Sequence, residues 1–383
     1  MWNRVVGQQR VKNLLRSSIE RGRVAHAYLF YGEDGAGMDA MAIEFARVLN
    51  CERGELDACG ECTTCRQFDK LQHPNLRLVF ALPRGKSERD DEPPVNFLSD
   101  VEVKKIQNEL SLKAQNLYYR LHIPKANEIR INSIRELRRE AALSVFAAGW
   151  KVFVILDADD MNTEASNALL KTLEEPTPRT VLILTTAKRE RLLPTILSRC
   201  QPMKFDPLSG DDICDALVTR CSVDRERAQL VATLANGSYA RALDLLATDV
   251  RKSRDEVVDF VRNLLSNHPS LLFKQIEELT AGTERSVLEQ WLSLMLVWFR
   301  DAEALRHGRT AGIVNVDQLE SLQSFVTKFP LTDHTRVVRE VERAIALIGK
   351  NVYLPLVFAN LAHELKEAIA VGRTHALVET KTS

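Results

Sequence analysis

The chain has 383 residues, of which 45% are apolar and 27% charged, and its 52 basic and 52 acidic residues give a formal net charge of zero. This length is enough for two or three domains of about 100–200 residues each. The balanced charge excludes a global electrostatic attraction to nucleic acid or to a membrane, so any DNA-facing patch must be local. No apolar run approaches the roughly 18 residues of a membrane span, and the polar start MWNRVVGQQR does not resemble a signal peptide. We therefore expect a soluble, cytoplasmic protein.

The first half of the chain alternates helical and strand patterns. Residues 5–22 carry apolar positions at helical spacing and end in glycine, which predicts a helix. A short apolar strand (AYLFY), a glycine loop and a helix over about 38–50 follow. Further strands are predicted for LRLVF (76–80), VFVIL (152–156) and VLILTT (181–186). Continuous apolar strands of this kind are typical of a parallel sheet covered by helices on both faces. We predict such an α/β domain over residues 1–206.

The glycine loop GEDGAGMDA has the spacing of a phosphate-binding loop. Gly32, Gly35 and Gly37 stand where backbone N–H groups and a helix N-terminus hold phosphate oxygens. A working loop continues with a lysine and a hydroxyl residue, whereas this chain has Met38 and Asp39. Loss of the lysine removes a charge-assisted contact, and a carboxylate would repel phosphate. We expect no tight triphosphate binding, and we interpret the glycines as a turn kept for strand–helix packing.

Four of the seven cysteines fall within fifteen residues, as Cys51, Cys59, Cys62 and Cys65. Two-residue spacings let successive sulfurs turn back onto one ion, which is the arrangement of a tetrahedral zinc site. The alternative, buried free cysteines, is disfavoured because the segment CERGELDACGECTTC is mostly polar. We predict a structural Zn²⁺ module over residues 51–65, since four sulfurs leave no open position for water.

Residues 83–127 interrupt the α/β pattern and are interpreted as an insertion. The insertion begins with the charged stretch PRGKSERDDEPP, which predicts a mobile loop. An amphipathic helix should follow, with Leu98, Val101, Ile106 and Leu110 along one face. The sequence leaves open whether the insertion makes a specific contact or is only exposed to solvent.

Two further segments contain candidate site residues. The strand 152–156 is followed by Asp157-Ala158-Asp159-Asp160, whereas an ATPase needs Asp-Glu at this strand end; which residue faces a metal depends on register. Further on, a strand ending in Thr185-Thr186 leads through a basic stretch to Ser198-Arg199-Cys200. Arg199 is either a solvated surface charge or an arginine finger for the phosphate site of a neighbouring subunit.

After Pro207 the strand patterns cease. Residues 209–248 predict a small helical unit, and residues 251–383 read as helical throughout, with runs such as VLEQWLSLMLVWF that are typical of buried helices in a bundle.

The segment NALLKTLEEP (167–176), followed by LPTILSRC (193–200), resembles the bacterial clamp-loader AAA+ family. That family comprises the gamma/tau subunits of DNA polymerase III and their delta-prime relatives. Other segments resemble the family in the same order: VVGQQRVKNLL, AHAYLFYG, the four-cysteine module and ANGSYARALDLL. The resemblance covers about residues 1–250, and the last third matches only in being helical. It implies a P-loop-type AAA+ domain (1–206), a helical lid (207–250) and a helical collar for oligomerisation (251–383).

Within this family the gamma/tau subunit is the ATPase and carries the loop lysine. The resemblance places the family's strand-end Asp-Glu pair on Leu156 and Asp157, or with a slip of one residue on Asp157 and Ala158, so one member is missing in either register. Two defective nucleotide motifs beside an intact Ser198-Arg199-Cys200 resemble the delta-prime type. This resemblance implies that the subunit is not an independent ATPase and that it donates Arg199 in trans. It also places Thr185 near the first sensor and Arg241 at the second.

The resemblance further implies a hetero-oligomeric ring with gamma/tau and delta subunits, which loads a sliding clamp on primed DNA during replication. The chain would be an accessory subunit of a DNA-directed DNA polymerase holoenzyme, a nucleotidyltransferase, at the replisome in the bacterial cytoplasm. Three alternatives remain: an active gamma/tau-type ATPase, a zinc-module nucleic-acid binder on an AAA+ scaffold, and an architectural partner with an inert arginine.

Overall fold

The computed structural model describes residues 2–54, 56–85, 92–143, 149–247, 250–266, 268–310, 312–348 and 352–379. Residues 86–91 of the predicted mobile loop lie outside this set. The chain divides into two compact units, Met1–Leu243 and Asp244–Ser383. The helical segment that follows Pro207 therefore belongs, as far as residue 243, to the same unit as the sheet.

The first unit contains one five-stranded parallel sheet. Its strands are β1 (Ala27–Gly32), β2 (Leu76–Val79), β3 (Lys151–Ile155), β4 (Thr180–Thr186) and β5 (Gln201–Phe205), in the spatial order β2-β3-β4-β1-β5. The four strands predicted from apolar runs are confirmed. The sequence reading missed β5 because this edge strand (QPMKF) contains a proline and is exposed at three of five positions. Edge strands tolerate both features, since one side of the strand needs no ladder partner.

Helices cover both faces of the sheet. The helices of this unit are α1 (Gln9–Glu20), α2 (Met38–Asn50), α3 (Thr63–Asp69), α4 (Asp100–Gln115), α5 (Ile131–Ala142), α6 (Thr163–Glu174), α7 (Pro194–Leu197), α8 (Gly210–Cys221) and α9 (Arg225–Ala235), and α10 (Tyr239–Ala247) crosses the boundary between the units. On one face, Leu29 and Ile155 pack in a buried cluster with Ile134 of α5 and Leu169 of α6. On the other, the Tyr28 ring lies 5.5 Å from that of Phe45 in α2. The predicted two-sided α/β layering is confirmed.

The helix predicted within the insertion exists, but its buried face differs from the predicted one. α4 begins with a capping box in which Ser99 and Glu102 exchange hydrogen bonds. Val101, assigned to the apolar face, is 63% exposed, whereas the buried positions of α4 are Ile106 and Lys113. Ile106 is therefore buried as predicted, and Leu98 and Leu110 are half-buried. Val101 is wrongly assigned, and the buried Lys113 was missed because only apolar residues were considered. The side facing the protein is defined by one apolar residue and one lysine, seven residues apart.

In the described residues of the second unit, all regular secondary structure is helical. Its helices are α11 (Val250–Leu265), α12 (Pro269–Thr280), α13 (Arg285–Arg306), α14 (Leu319–Lys328), α15 (His334–Ile348) and α16 (Leu354–Glu379). Trp291, Met295 and Phe299 of α13 are buried, as the apolar run VLEQWLSLMLVWF predicts. None of the helices in the described part of the chain has the length and apolar character of a membrane span.

Candidate functional site

Three neighbouring strands bring the predicted nucleotide motifs to one edge of the sheet. β3, β4 and β1 are adjacent and parallel, so their carboxyl ends lie side by side. The glycine loop follows β1, Asp157 follows β3, and Thr185 lies at the end of β4. Open α/β sheets bind ligands at this edge. Here the edge encloses a cavity of about 240 Å³, whose lining includes Gly35, Gly37, Asp157 and Thr185.

Each glycine of the loop is in close contact with another part of the chain. A Cβ on Gly32 would lie 2.3 Å from the carbonyl oxygen of Phe205 in β5. Gly35 has a φ of +77°, and a Cβ there would lie 2.0 Å from Ser238 Oγ. Gly37 has a φ of +103°, and a Cβ there would lie 2.9 Å from Tyr118 Oη. Packing and backbone conformation therefore require glycine at these positions without reference to a phosphate.

The two residues that replace the lysine and the hydroxyl are integrated into the protein. Met38 is buried and lines the cavity. Asp39 Oδ1 accepts a hydrogen bond from Thr185 Oγ1 at 2.7 Å, and Asp39 Oδ2 accepts one from Lys113 Nζ at 2.9 Å. The carboxylate is thus neutralised and hydrogen-bonded by the chain itself.

The insertion places a buried cation, Lys113, beside the glycine loop. Lys113 is only 1% exposed, and its ammonium donates to Asp39 Oδ2, to Tyr119 O at 2.8 Å and to Leu117 O at 3.5 Å. A lysine ammonium has three donors, and all three have acceptors here. The buried charge is therefore compensated, which the burial of a lysine requires.

The strand end that follows β3 is also altered. Leu156 is buried, and its backbone N–H donates to Val79 O at 2.8 Å. Asp157 adopts a left-handed φ of +47° and lines the cavity. Desolvation in the cavity, together with the neighbouring carboxylates of Asp39 and Asp34, raises the pKa of Asp157 to about 7. Asp159 faces elsewhere and accepts hydrogen bonds from Thr186 Oγ1 at 2.7 Å and from Arg191 at 3.2 Å.

Arg199 lies outside this cavity, directly after α7. Its guanidinium donates to Glu174 Oε1 at 2.8 Å, to Thr195 O at 3.0 Å and to Ser198 Oγ at 3.3 Å. The side chain is 35% exposed. The neighbouring Cys200 is buried in the sheet core, and burial raises its pKa to about 12. In this motif Cys200 packs in the core of the unit, whereas Arg199 lies at the surface, where its guanidinium is oriented by Glu174.

Of the two predicted sensor residues, Thr185 is among the described residues that line the cavity and Arg241 is not. Thr185 is buried, and its hydroxyl is used by Asp39. Arg241 follows Ala240, which lines the cavity, and the backbone N–H of Arg241 donates to Ser238 Oγ at 3.2 Å. The lining of this cavity, as far as the described residues form it, does not include the Arg241 side chain.

The side chains of the four cysteines form one cluster. The Sγ atoms of Cys51, Cys59, Cys62 and Cys65 all lie within 4.8 Å of one another. Cys65 Sγ is 3.7 Å from Cys51 Sγ and 3.9 Å from Cys59 Sγ. A tetrahedral site with Zn–S bonds of about 2.3 Å has S–S edges of about 3.8 Å, so the sulfurs fit such an ion.

Hydrogen bonds favour the thiolate form of Cys59, whereas burial raises the pKa of the Cys65 thiol to about 12. Backbone N–H groups of Glu61 and Cys62 point at Cys59 Sγ and lower the pKa of that thiol to about 6. Arg47 is buried beside Cys65 and offers a positive charge to a cluster that would be negative overall with zinc bound. Because ligating cysteines must be deprotonated, the hydrogen bonds to Cys59 and the charge of Arg47 suit a metal site.

Sequence reasoning missed Lys113, Tyr118 and Glu174. An aspartate in a glycine loop needs a positive partner, and this need was a usable signal for Lys113. Nothing in the sequence pattern marked Tyr118, since the adjacent pair Tyr118-Tyr119 lies in an irregular segment without periodicity.

Comparisons with known proteins identify the relatives of the chain. The family model described as "DNA polymerase III, delta subunit" matches residues 7–209. The DNA polymerase III subunit delta' of Bacillus subtilis is 28% identical over 94% of this chain and 96% of its own length. The subunit delta' of Pseudomonas aeruginosa is 30% identical over 73% of this chain and 71% of its own.

More distant relatives are also found. The DNA polymerase III subunit tau of Bacillus subtilis is 26% identical over 70% of this chain and 39% of its own length. Among solved structures, a DNA polymerase III gamma subunit-related protein of Thermotoga maritima is 16% identical, with a TM-score of 0.42 over 93% of this chain and 99% of that protein. The family model spans more than half of the chain, and the delta' subunits are similar over most of their length. The chain therefore belongs to the DNA polymerase III delta/delta-prime subunit family.

Proposed function

We propose that the chain is a delta-prime-type clamp-loader subunit that does not hydrolyse ATP and that supplies Arg199 to the ATP site of a neighbouring gamma/tau subunit. The observation that carries this proposal is the separation of the two motifs. The glycine-loop cavity lacks a lysine and holds Asp39 in internal hydrogen bonds, whereas Arg199 is on the surface outside it. Such a chain has an arginine available for another subunit's phosphates and no working site of its own.

The contacts of Arg199 are compatible with transfer to a phosphate. Its partner Glu174 is 51% exposed, and exposed ion pairs contribute only about 0.2–1 kcal/mol. A γ-phosphate carries more charge than one carboxylate and binds arginine with bidentate geometry. Exchange of Glu174 for a neighbour's phosphate therefore costs little, and until then the ion pair keeps the guanidinium in place.

The four-cysteine cluster is proposed to hold one structural Zn²⁺. Four sulfur ligands close the coordination sphere, so the ion would shape residues 51–65 and would not activate water. This module is fixed to the rest of the unit by the Trp2 indole, which donates to Leu56 O at 2.9 Å, and by Arg16, which contacts Asp57 at 2.7 Å. Metal loss should therefore also loosen the N-terminal segment.

The proposed partners are gamma/tau and delta subunits in a hetero-oligomeric complex that loads a sliding clamp on primed DNA. The helical residues 251–383 are proposed as the collar through which the subunits associate, and residues 207–250 as a lid. This complex would serve DNA replication in the bacterial cytoplasm.

The test compares Arg199→Ala with Arg225→Ala, a change to a more exposed arginine that also pairs with a carboxylate. Both variants should assemble with gamma/tau and delta subunits from the same cell. Only Arg199→Ala should depress the DNA-dependent ATPase of the complex, because an arginine finger contributes about 10³–10⁵ in rate at the site it serves in comparable enzymes. If both variants retain full turnover, Arg199 is inert and the chain is an architectural partner.

The rival proposal of an active ATPase is tested on the isolated chain. We expect no ATP binding, since no lysine of the glycine loop meets the phosphates. Micromolar ATP binding by the isolated chain would favour the ATPase. Salt-dependent DNA binding by the isolated chain would instead favour a zinc-module nucleic-acid binder.

A further inference from the structure

The insertion meets the glycine loop at more than one point. Besides Lys113, which contacts Asp39, the turn after α4 places Tyr118 against the loop. Tyr118 is buried, its hydroxyl oxygen accepts the backbone N–H of Val6 at 2.8 Å, and the same oxygen would lie 2.9 Å from a Cβ on Gly37. Burial raises the pKa of Tyr118 to about 12, so the phenol is neutral.

Tyr118 also reaches the segment that closes the loop from the other side. Its ring packs edge-on against Tyr239, with 4.8 Å between centroids. The backbone N–H of Tyr239 donates to Gly35 O at 3.1 Å. One aromatic ring therefore contacts the N-terminal segment, the glycine loop and the start of α10 together.

These contacts resemble those of a bound ligand: a buried ring between three chain segments, and a buried ammonium hydrogen-bonded to Asp39 beside the glycine loop. We infer that residues 113–119 are the resident intramolecular ligand of the glycine-loop site, an ammonium and a phenol that replace a nucleotide as the bridge between residues 5–6, 35–39 and 238–240. The remaining cavity of about 240 Å³ is smaller than the roughly 300–1,000 Å³ of ordinary ligand pockets. The insertion therefore reduces the space at this site, in addition to the absence of the loop lysine.

Asp39 then has a structural role. In a nucleotide site its carboxylate would repel phosphate, but here it is the acceptor that fixes the Lys113 ammonium. The insertion then also fixes the position of residues 238–240. Residues 238–240 are held against the loop by the chain itself, so their position does not depend on nucleotide.

Hydrogen exchange of the full-length protein tests the inference. Lys113→Met removes the ammonium and keeps the shape, and the matched control Lys105→Met changes an exposed lysine of the same helix. Lys113→Met should speed exchange of residues 35–43 and 238–243 by about tenfold or more, with β4 unchanged, because the bridge between these segments is weakened. The control should leave exchange unchanged. An unchanged rate in Lys113→Met, or a uniform increase through the whole unit, overturns the inference.

A second measurement uses a fluorescent ADP analogue with Mg²⁺. Met38→Lys alone restores the lysine but should not gain binding, because Tyr118 still occupies the site. Met38→Lys/Tyr118→Ala should bind the analogue at least about tenfold more tightly than Met38→Lys. Equal affinity of the two variants contradicts occupation by the insertion. Neither measurement involves Arg199, so the inference and the proposed arginine finger fail separately.

Discussion

Two ion pairs at the cavity have nearly equal N–O distances but differ in burial. They therefore test whether burial strengthens an ion pair in this protein. Lys113 and Asp39 are joined at 2.9 Å, with side-chain exposures of 1% and 32%. Arg120 and Asp34 are joined at 2.8 Å, with exposures of 46% and 57%. If distance alone mattered, the two pairs would have equal coupling energies. If burial matters, the Lys113–Asp39 pair should have the larger coupling energy.

The magnitude follows from the solvent around each pair. An exposed pair contributes about 0.2–1 kcal/mol. A hydrogen bond to a charged group in a buried setting contributes about 1.5–3 kcal/mol. Because Asp39 remains one-third exposed and regains water when its partner is removed, we expect the lower half of that range, about 1.5–2 kcal/mol, for the Lys113–Asp39 coupling.

The assay is a double-mutant cycle in urea on the full-length protein, with Lys113→Met, Asp39→Asn and their combination, and the parallel cycle with Arg120→Met and Asp34→Asn. Unfolding is followed by a probe in the first unit, since two compact units need not unfold together. Couplings that agree within about 0.5 kcal/mol would refute the claim that burial of Lys113 strengthens its ion pair.

Three further predictions concern the loop, the strand end and the cysteines. Gly35→Ala should destabilise the protein by about 1–3 kcal/mol more than Gly22→Ala, because both have positive φ but only Gly35 faces a close neighbour; equal losses in urea unfolding would argue against packing as the reason for this glycine. Asp157→Asn should gain stability over the parent as pH rises from about 4 to 7, since the raised folded-state pKa makes the parent lose stability through that window; a pH-independent difference would contradict this. Native protein should carry about one zinc ion per chain by mass spectrometry, and Cys62→Ser should lose it while Cys214→Ser, a buried cysteine outside the cluster, keeps it; zinc-free parent protein would disprove the site.

The elements that could be predicted from sequence are those set by local pattern. Apolar runs identified β1, β3 and β4, because a strand buried on both faces is apolar at most positions. β5 was missed because an edge strand obeys no such constraint. The cysteines could be grouped because short spacings force neighbouring sulfurs together.

The contacts between distant segments could not be predicted. Lys113 reaches Asp39 across 74 positions of sequence, and Tyr118 reaches Val6 across 112. Such pairs depend on how the insertion folds back over the sheet edge, and no periodicity encodes that path. The sequence predicted an altered glycine loop, whereas only the structure shows that Lys113 and Tyr118 contact it.

The central claim is that this chain acts on ATP through Arg199 at a neighbour's site. Its most direct test is the rate of DNA-dependent ATP hydrolysis per complex, measured on assemblies with gamma/tau and delta subunits that contain either the parent chain or Arg199→Ala. We expect intact assembly and a strongly reduced rate with Arg199→Ala, with the parent rate kept by Arg225→Ala. An intact assembly that hydrolyses ATP and loads clamps at the parent rate without Arg199 would contradict this claim.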